Sequence, residues 1–479
     1  MTNSTTTGQE MSTVTSARRF LLGSPSDWHI QRPTLPRVRP GLHLIGPLAL
    51  LASCAISWPA FAGARGEDGN VAFGLWVGAV SILLMSWSFI LALRPKVLEP
   101  IFGGLDSMYR VHRWAGAFAV LFMFLHTSVE PEIEGGIRGA SRSVADSAED
   151  LAGLGETMLY ILVGLSIIRL FPYRWWRLTH KLLGVPFAFA CWHFYTAEKT
   201  YANGSSWGMW FGFWMVAGLA AFVARVVGRD IVAPGRPYRV VAADHLGSTT
   251  RLELEPVGKP LGQRLGQFAF IKLAVPGMSE PHPFTIASAP EKKNLEFFIR
   301  HLGDWSQRLP DVDLVGSEVR VEGPHGQFAP YGSSGAAGGD SSLWIAGGVG
   351  ITPFLAALDQ PADPSGAAPT LLYAVREVDN NPIVERLLQA ERQGRVKLHL
   401  FTSATGRLTP NTLDEIFPGG LNGYHVALCG PGGLVTTMSN AAASRGAKHI
   451  ETEDFDIRQG FGPERSAELS ALVSNTLDR

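Results

Sequence analysis

Four histidines stand out because each lies in an otherwise apolar stretch of sequence. His112 and His126 bound the segment "HRWAGAFAVLFMFLH", and His180 and His193 bound the segment "HKLLGVPFAFACWH". An imidazole in an apolar helix needs partners for its ring nitrogens, and ionisable residues inside membrane-spanning helices usually mark a functional site. The four histidines are therefore candidate ligands.

The spacing within each segment predicts two levels of histidine. At 1.5 Å per helical residue, the two histidines of a segment lie about 20 Å apart along the axis. Fourteen residues return to within about 40° of the same helical face, whereas thirteen miss it by about 140°. The second segment therefore needs a distortion between His180 and His193, where Gly184 and Pro186 lie.

The elements that must position these histidines are apolar and long. Six segments, roughly 42–62, 71–93, 108–129, 153–171, 175–196 and 206–228, approach the 20 apolar residues that span a bilayer. Lys and Arg concentrate in alternate connections, and the positive-inside rule then places both termini in the cytoplasm. We expect a multi-pass protein of the cell (inner) membrane. "RRFLL" (18–22) resembles a twin-arginine signal, but a polar, Pro-rich stretch follows it, so 1–40 is predicted to be a cytoplasmic arm.

Two parallel spans with a histidine at each of two depths predict two pairs of axial ligands for b-type haem. By the predicted topology we name them the inner pair and the outer pair; they are His112 with His180 and His126 with His193. Gly116 and Gly184, four residues after each inner histidine, would let a flat macrocycle approach the backbone. The alternative is four unrelated histidines bonded to nearby hydroxyls or carbonyls.

Composition limits the other possibilities. The 479 residues have a formal net charge of −1, which does not favour nucleic acid as a partner. Cys54, Cys191 and Cys429 are far apart, with no CxxC or iron–sulfur spacing, so any redox centre must be held by something other than thiolates. No obligate protein partner is visible in the sequence.

The second half of the chain changes pattern at about residue 232. Short alternating strands separated by Gly and Pro predict a small antiparallel β-barrel. "LWIAGGVGITPFLAAL" (343–358) predicts a strand, a Gly-rich turn and a helix, with Thr352 as N-cap and Pro353 as the first helical residue. Backbone amides at such a turn bind phosphate. "HVALCGPGGL" (425–434) ends another strand on Cys429, at the sheet edge where α/β domains bind ligands.

Three motifs carry a resemblance to a known family. "HPFTIASAP" (282–290), "GGVGITPF" and "CGPGG" follow the six apolar segments in this order. The chain from about 41 to 458 resembles the NADPH oxidase and ferric reductase superfamily, with a ferredoxin–NADP reductase-type FAD and NADP module. The resemblance implies a multi-domain membrane protein in which a six-helix di-haem bundle precedes a β-barrel FAD domain and an α/β NADP domain. The expected boundaries are an arm at 1–40, the haem domain at 41–231, the FAD domain at 232–333, the NAD(P)H domain at 334–461 and a tail at 462–479.

The resemblance also implies roles for individual residues. Phe284 would pack on the flavin, Thr285 would hydrogen-bond near flavin N5, and Phe455 would cover the flavin face that hydride must reach. Contacts with FAD are implied for His282, Pro283, Phe284, Thr285, Ser288, Arg300, Gly303, Trp305 and Ser306. Contacts with NADPH are implied for Gly347, Gly348, Gly350, Thr352, Arg376, Arg407, Cys429, Gly430 and Pro431. The alternatives are solvated arginines at 300, 376 and 407, a packing cysteine at 429 and a core aromatic at 455.

The implied activity is transfer of electrons from cytoplasmic NADPH through FAD and two haems to an acceptor outside. Dioxygen is the expected acceptor, and a ferric chelate is the first alternative. A third possibility is an electron-donor subunit for an extracytoplasmic protein or quinone. A transporter with a sensory reductase-like domain fits poorly, because the ionisable residues inside the spans are histidines suited to haem.

Overall fold

The computed structural model describes residues 44–64, 70–129, 131, 133, 135–167, 173–226, 228, 235–331, 341–360, 367–376, 378, 381–402 and 404–454. They form two compact units, the first within 44–228 and the second chiefly within 229–457. The predicted arm at 1–40 and the tail at 462–479 lie outside the described residues.

The first unit is built of helices, as expected where long apolar stretches must satisfy their own backbone hydrogen bonds. They are α1 (Ile45–Ala55), α2 (Val71–Ala92), α3 (Glu99–Phe102), α4 (Leu105–Val129), α5 (Arg142–Ile167), α6 (Tyr173–Lys181), α7 (Gly184–Thr196) and α8 (Ser206–Val226). Two short strands, β1 (Ile137–Arg138) and β2 (Glu198–Lys199), pair antiparallel. Helix α2 packs against α8, and α5 packs against α7.

The predicted count of six membrane spans is not confirmed. Three of the described helices, α2, α5 and α8, are long and apolar enough to cross a membrane. All six predicted segments contain helix, but α1 has only 11 residues and α4 begins with the charged residues Asp106, Arg110 and Arg113. The fifth segment is divided between two helices. Six spans therefore remain a prediction.

The distortion predicted for the fifth segment is confirmed. Helices α6 and α7 are separated by a turn at Leu182 and Leu183, between the two histidines. Pro186 has no N–H with which to continue the helical ladder. The Leu182 carbonyl instead accepts from the Val185 N–H at 2.9 Å, a three-residue step that tightens the chain.

An antiparallel sheet forms the first part of the second unit. Its strands are β3 (Arg236–Leu246), β4 (Thr249–Pro256), β5 (Phe268–Leu273), β6 (His282–Thr285), β7 (Leu295–Arg300) and β8 (Glu318–His325), in the order β6-β5-β8-β3-β4-β7. Strand β4 buries every second residue, which is the pattern of a sheet with one face on the core. The edge strands are β6 and β7, so closure into the predicted barrel is not confirmed. A short helix, α9 (Asp304–Gln307), follows β7.

A five-stranded parallel sheet forms the rest of the second unit. Strands β9 (Ser341–Gly347), β10 (Thr370–Ala374), β11 (Lys397–Phe401), β12 (Tyr424–Gly430) and β13 (His449–Asp454) lie in the order β11-β10-β9-β12-β13. The helices between them are α10 (Thr352–Leu358), α11 (Pro382–Arg392), α12 (Pro410–Ile416) and α13 (Gly432–Ser444). The strand order reverses between β9 and β12, and ligands bind at such a switch point in open α/β sheets.

Candidate functional site

The inner pair of histidines is brought together as the sequence predicts. The ring centroids of His112 on α4 and His180 on α6 lie 6.1 Å apart, with an angle of 71° between the ring planes. A metal ion bound by both rings, with bonds of about 2 Å to each nitrogen, fits within that separation. In the outer pair, His126 and His193 are close enough to interact electrostatically.

Helix α2 fixes the protonated nitrogen of both histidines on α4. Nδ1 of His112 lies 2.9 Å from the Ser88 carbonyl oxygen, and Nδ1 of His126 lies 2.9 Å from the Gly74 carbonyl oxygen. A carbonyl only accepts, so each Nδ1 carries the proton and each Nε2 keeps its lone pair. The acceptors are fourteen residues apart along α2, which matches the spacing of the two histidines. Metal-ligating histidines are held in this way.

The other two histidines are held differently. Nδ1 of His180 lies 3.1 Å from the Ser166 hydroxyl oxygen on α5. Nδ1 of His193 is buried and has no hydrogen-bond partner among the described residues. A buried ring nitrogen without a partner is the exception in folded proteins.

Of the two glycines predicted to admit a macrocycle, Gly116 has the expected surroundings and Gly184 does not. A Cβ atom at Gly78 would lie 2.6 Å from Nδ1 of His126, so α2 must have glycine there for the imidazole to approach. Gly116 faces open space among the described residues, as a macrocycle would require. The prediction for Gly184 is wrong, because a Cβ there would overlap the ring of Phe222. Helix packing occupies the space that we assigned to the macrocycle.

The donor set fits haem axial ligation. Within the described parts of the chain, no group of three or more His, Cys, Asp or Glu side chains is arranged to hold a metal ion. Each histidine pair supplies two nitrogens, which is the number that a bis-histidine haem takes from the protein. The residues at hand therefore fit a metal whose other ligands come with a prosthetic group.

In the second unit, Thr285 is the residue that best fits the predicted flavin site. It lies at the end of β6 and is 5% exposed, and its hydroxyl oxygen has no partner among the described residues. A buried hydroxyl without a partner costs free energy unless a ligand supplies the missing bond. The predicted bond to flavin would supply it.

An aromatic stack lies beside Thr285. The ring of Trp305 lies 4.6 Å from the ring of His282 and 5.8 Å from that of Phe284, measured between centroids. Trp305 is itself fixed, because its indole N–H donates to the Met278 carbonyl at 3.0 Å. Phe284 is half-buried and keeps surface for a flat ring system. Pro283 continues β6 and pairs with Phe270 of β5.

Two of the predicted FAD-binding hydroxyls hold the protein backbone. The Ser288 hydroxyl accepts from the Glu296 N–H at 3.1 Å, and the Ser306 hydroxyl accepts from the N–H groups of Leu302 and Gly303. These bonds shape the strand end and the turn that follows Arg300. Direct contact of either hydroxyl with FAD stays a prediction.

Arg300 and Arg376 form a cationic site that sequence spacing could not reveal. Arg300 ends β7, Arg376 follows β10, and a Cβ at Gly348 would lie 3.9 Å from an Arg300 guanidinium nitrogen. Burial, and then the neighbouring Arg376 guanidinium, lower the pKa of Arg300 below its ordinary value. Within the described residues no carboxylate pairs with either guanidinium. Arg300 is half-buried and Arg376 is exposed, so the alternative of a solvated arginine stays open for Arg376 and anion binding by the two stays a prediction. Arg407 is exposed in the loop after the adjacent strand β11.

The two predicted glycine motifs meet at the sheet's switch point. Gly347 ends β9 and Gly430 ends the neighbouring strand β12. A Cβ at Gly350 would overlap the carbonyl oxygen of Cys429, so the turn after β9 can approach β12 only with glycine there. Pro431 is the N-cap residue of α13.

Thr352 differs from its prediction in detail. It is the first residue of α10 rather than the N-cap, which is Ile351, and its hydroxyl donates to the Val349 carbonyl at 2.9 Å. A 3₁₀ turn over Gly348–Ile351 comes directly before α10, and its Val349 carbonyl accepts the bond from the Thr352 hydroxyl. The hydroxyl therefore does not cap the helix as expected. Sequence reasoning also missed Tyr373, whose hydroxyl donates to the Gly348 carbonyl at 3.1 Å.

Two further predicted site residues have mixed outcomes. Cys429 is fully buried at the end of β12, beside Ala346 of β9. It occupies the predicted edge, but the burial is equally expected of a packing cysteine. Phe455 lies outside the described residues, which end at 454.

Two known families match parts of the chain. The family described as a ferric reductase like transmembrane component matches residues 77–191, and the family described as a FAD-binding domain matches residues 245–329. The chain carries a ferric reductase-like transmembrane component and a FAD-binding domain. The transmembrane match contains three of the four histidines and ends two residues before His193. With the three apolar helices, it indicates a membrane protein.

Curated relatives resemble one or both halves. Ferric reduction oxidase 5 of Arabidopsis thaliana is 28% identical over 306 residues, 60% of this chain and 40% of that protein. NADH-cytochrome b5 reductase 1 of Cryptococcus neoformans is 27% identical over 238 residues, 44% of this chain and 79% of that protein. NADPH oxidase 1 of Rattus norvegicus is 25% identical over 145 residues, 29% of this chain and 25% of that protein. The chain thus spans well under half of the oxidase relatives.

Proposed function

We propose that the protein is a transmembrane oxidoreductase that moves electrons from NADPH, through FAD and two b-type haems, to an acceptor across the membrane. The observation that supports this most directly is the arrangement of His112 and His180, whose ring centroids lie 6.1 Å apart with both Nδ1 atoms hydrogen-bonded. When bound, FAD converts a two-electron hydride into single electrons, and haem iron carries one electron at each site.

The chain's own residues bind and orient these groups. Thr285 would donate its hydroxyl to the flavin, and Phe284 would pack on it with Trp305 behind. The glycines at 347, 348 and 350 would bring bare amides to the dinucleotide phosphates. Arg300 would bind the FAD pyrophosphate, and Arg376, together with Arg407, would bind the 2′-phosphate. Cys429 and Phe455 would flank the nicotinamide and the flavin.

The acceptor we propose is dioxygen, which would be reduced to superoxide. If two histidines hold each haem, they would leave no iron position for the acceptor, and dioxygen is the candidate that would need least from the protein. A ferric chelate is the second candidate, because ferric reduction oxidase 5 of Arabidopsis thaliana aligns with this chain over 306 residues. A periplasmic protein or a quinone would make the chain an electron-donor subunit. The proposed location is the cell (inner) membrane, with both termini in the cytoplasm.

A haem count tests the histidine pairing. The full chain in detergent should contain two haems by the pyridine haemochrome assay, and His126→Ala or His193→Ala should remove one of them. Because the flavin site lies in the other unit, NADPH should still reduce FAD in both variants. Two haems per chain in His126→Ala would contradict the pairing.

An acceptor assay separates the candidates. With NADPH as donor, cytochrome c reduction should be inhibited by superoxide dismutase, since superoxide would be the carrier. Reduction that is insensitive to dismutase, with faster turnover on a ferric chelate than in air-saturated buffer, would assign a metalloreductase. No turnover with either acceptor would support the electron-donor subunit.

A further inference from the structure

Ser166 determines which ring nitrogen of His180 carries the proton. The Ser166 hydroxyl oxygen lies 2.7 Å from the Leu162 carbonyl oxygen and 3.1 Å from Nδ1 of His180. The carbonyl can only accept, so the single hydroxyl proton is used in the bond to Leu162. Ser166 must therefore accept from His180, and the imidazole proton lies on Nδ1.

This tautomer prepares His180 for metal binding. With the proton on Nδ1, the Nε2 lone pair is available as a ligand. His112, its partner 6.1 Å away, has the same tautomer through its bond to the Ser88 carbonyl. Both members of the inner pair are therefore ready to bind a metal without losing a proton.

Trp176 contacts both Ser166 and His180. Its indole N–H donates to the Ser166 backbone carbonyl at 3.2 Å, which ties α6 to α5. Its ring also stacks on His180, with centroids 5.0 Å apart and planes 15° from parallel. One side chain thus positions both the histidine and the residue to which the histidine donates.

The Ser166 contact differs in kind from those of the other histidines. His112 and His126 donate to backbone carbonyls, which a substitution does not remove. His193 has no partner for Nδ1 within the described residues. Among the four, His180 alone donates to a side chain in the described part of the chain. Its hydrogen bond can therefore be removed by one substitution.

We propose that Ser166 is a positioning residue that fixes the His180 tautomer and lowers the reduction potential of the inner haem. The inference rests on the proposed function. An imidazole that donates its second N–H is a more basic ligand. A more basic axial ligand stabilises ferric iron more than ferrous iron, and hydrogen bonding to axial ligands is one of the ways in which proteins set haem potentials.

The test is a spectroelectrochemical titration of the full chain in detergent, after a haem count. Ser166→Ala should keep two haems and shift one of the two haem transitions to a more positive potential, leaving the other unchanged. The transition missing from His112→Ala identifies the inner haem. Ser166→Thr, which keeps a hydroxyl, should restore the wild-type potentials. The matched control is Ser86→Ala, because the Ser86 hydroxyl makes the same four-residue bond to Ile82, at 2.9 Å, without a histidine.

The outcomes separate this inference from the function on which it rests. Two haems with unchanged potentials in Ser166→Ala would overturn the role of Ser166 and leave the proposed function intact. A wild-type chain that binds no haem would overturn the proposed function itself. Loss of the inner haem in Ser166→Ala supports the inference if Ser166→Thr keeps that haem. Loss in both variants overturns it, because the hydroxyl would then not be what matters.

Discussion

Arg386 on α11 donates to Glu296 on β7, with 2.8 Å between the guanidinium nitrogen and the carboxylate oxygen. The second oxygen of Glu296 accepts from Arg251 on β4 at 2.6 Å, and Arg386 also pairs with Asp359. Glu296 is 8% exposed. Within the second unit, this carboxylate therefore links the antiparallel sheet to a helix of the parallel sheet.

Replacement of Glu296 by Gln should destabilise the second unit. The change removes the carboxylate that Arg251 and Arg386 share, although Arg251 keeps Asp244 and Glu253 and Arg386 keeps Asp359. Loss of hydrogen bonds to a charged group costs about 1.5–3 kcal/mol. We expect a lower thermal midpoint, measured by release of flavin fluorescence from the full chain. Glu255→Gln is the control, because its pair with Lys293 is exposed and should contribute nothing measurable. Equal midpoints for the two variants would show that the link does not stabilise the unit.

Glu453 on β13 should make stability depend on pH. Its Oε2 atom is buried without a hydrogen-bond partner among the described residues, and burial raises the pKa of the carboxyl from 4.5 to about 8. Between these values the unfolded chain has released the proton that the folded chain keeps, so stability falls as pH rises from about 4.5 to about 8. Glu453→Gln should remove this decline and be more stable than wild type near the upper limit. Parallel pH profiles of the thermal midpoint would contradict the assignment.

Gly78→Ala should disturb the outer pair alone. The added methyl group would lie 2.6 Å from Nδ1 of His126, where it pushes the ring away from the Gly74 carbonyl. We expect loss of one haem per chain, with the inner haem and flavin reduction retained. Gly212→Ala on α8 is the matched control, because a Cβ there meets no atom within 4 Å. Two intact haems in Gly78→Ala would mean that the histidine can move without losing its ligand role.

Local patterns predicted much of this arrangement. Histidine spacing gave the inner pair, and the thirteen-residue interval required the break at Leu182 and Leu183. The glycines around 347–350 predicted a turn between a strand and a helix, and the structure has that turn between β9 and α10. These features were accessible because helical geometry and glycine sterics act within a few residues of the chain.

Contacts between distant segments were not accessible. Nothing in the sequence near His112 or His126 points to Ser88 or Gly74 as the acceptors, since these come from a helix that packs alongside. The error at Gly184 has the same origin, because Phe222 comes from another helix. The one usable signal was a serine in an apolar helix, which needs a hydrogen-bond partner as a histidine does. The position of Ser166 in α5 fits that rule.

Arg376 should determine the preference for NADPH over NADH. Burial, and then the Arg376 guanidinium, lower the pKa of Arg300, which lies beside Gly348, and within the described residues neither guanidinium has a carboxylate partner. Loss of a charge-assisted contact costs about 1.5–3 kcal/mol, which corresponds to about a 10- to 150-fold fall in kcat/KM.

Arg376→Ala should therefore lower kcat/KM for NADPH and leave that for NADH nearly unchanged, because NADH lacks the 2′-phosphate. Arg407→Ala tests the second predicted contact in the same assay. Arg320→Ala is the control, since this exposed arginine on β8 pairs with Glu318 away from the glycine turn. A wild-type chain that uses NADH as efficiently as NADPH would contradict the preference. If Arg376→Ala lowers kcat/KM equally for NADPH and NADH, Arg376 would instead bind the pyrophosphate that the two nucleotides have in common.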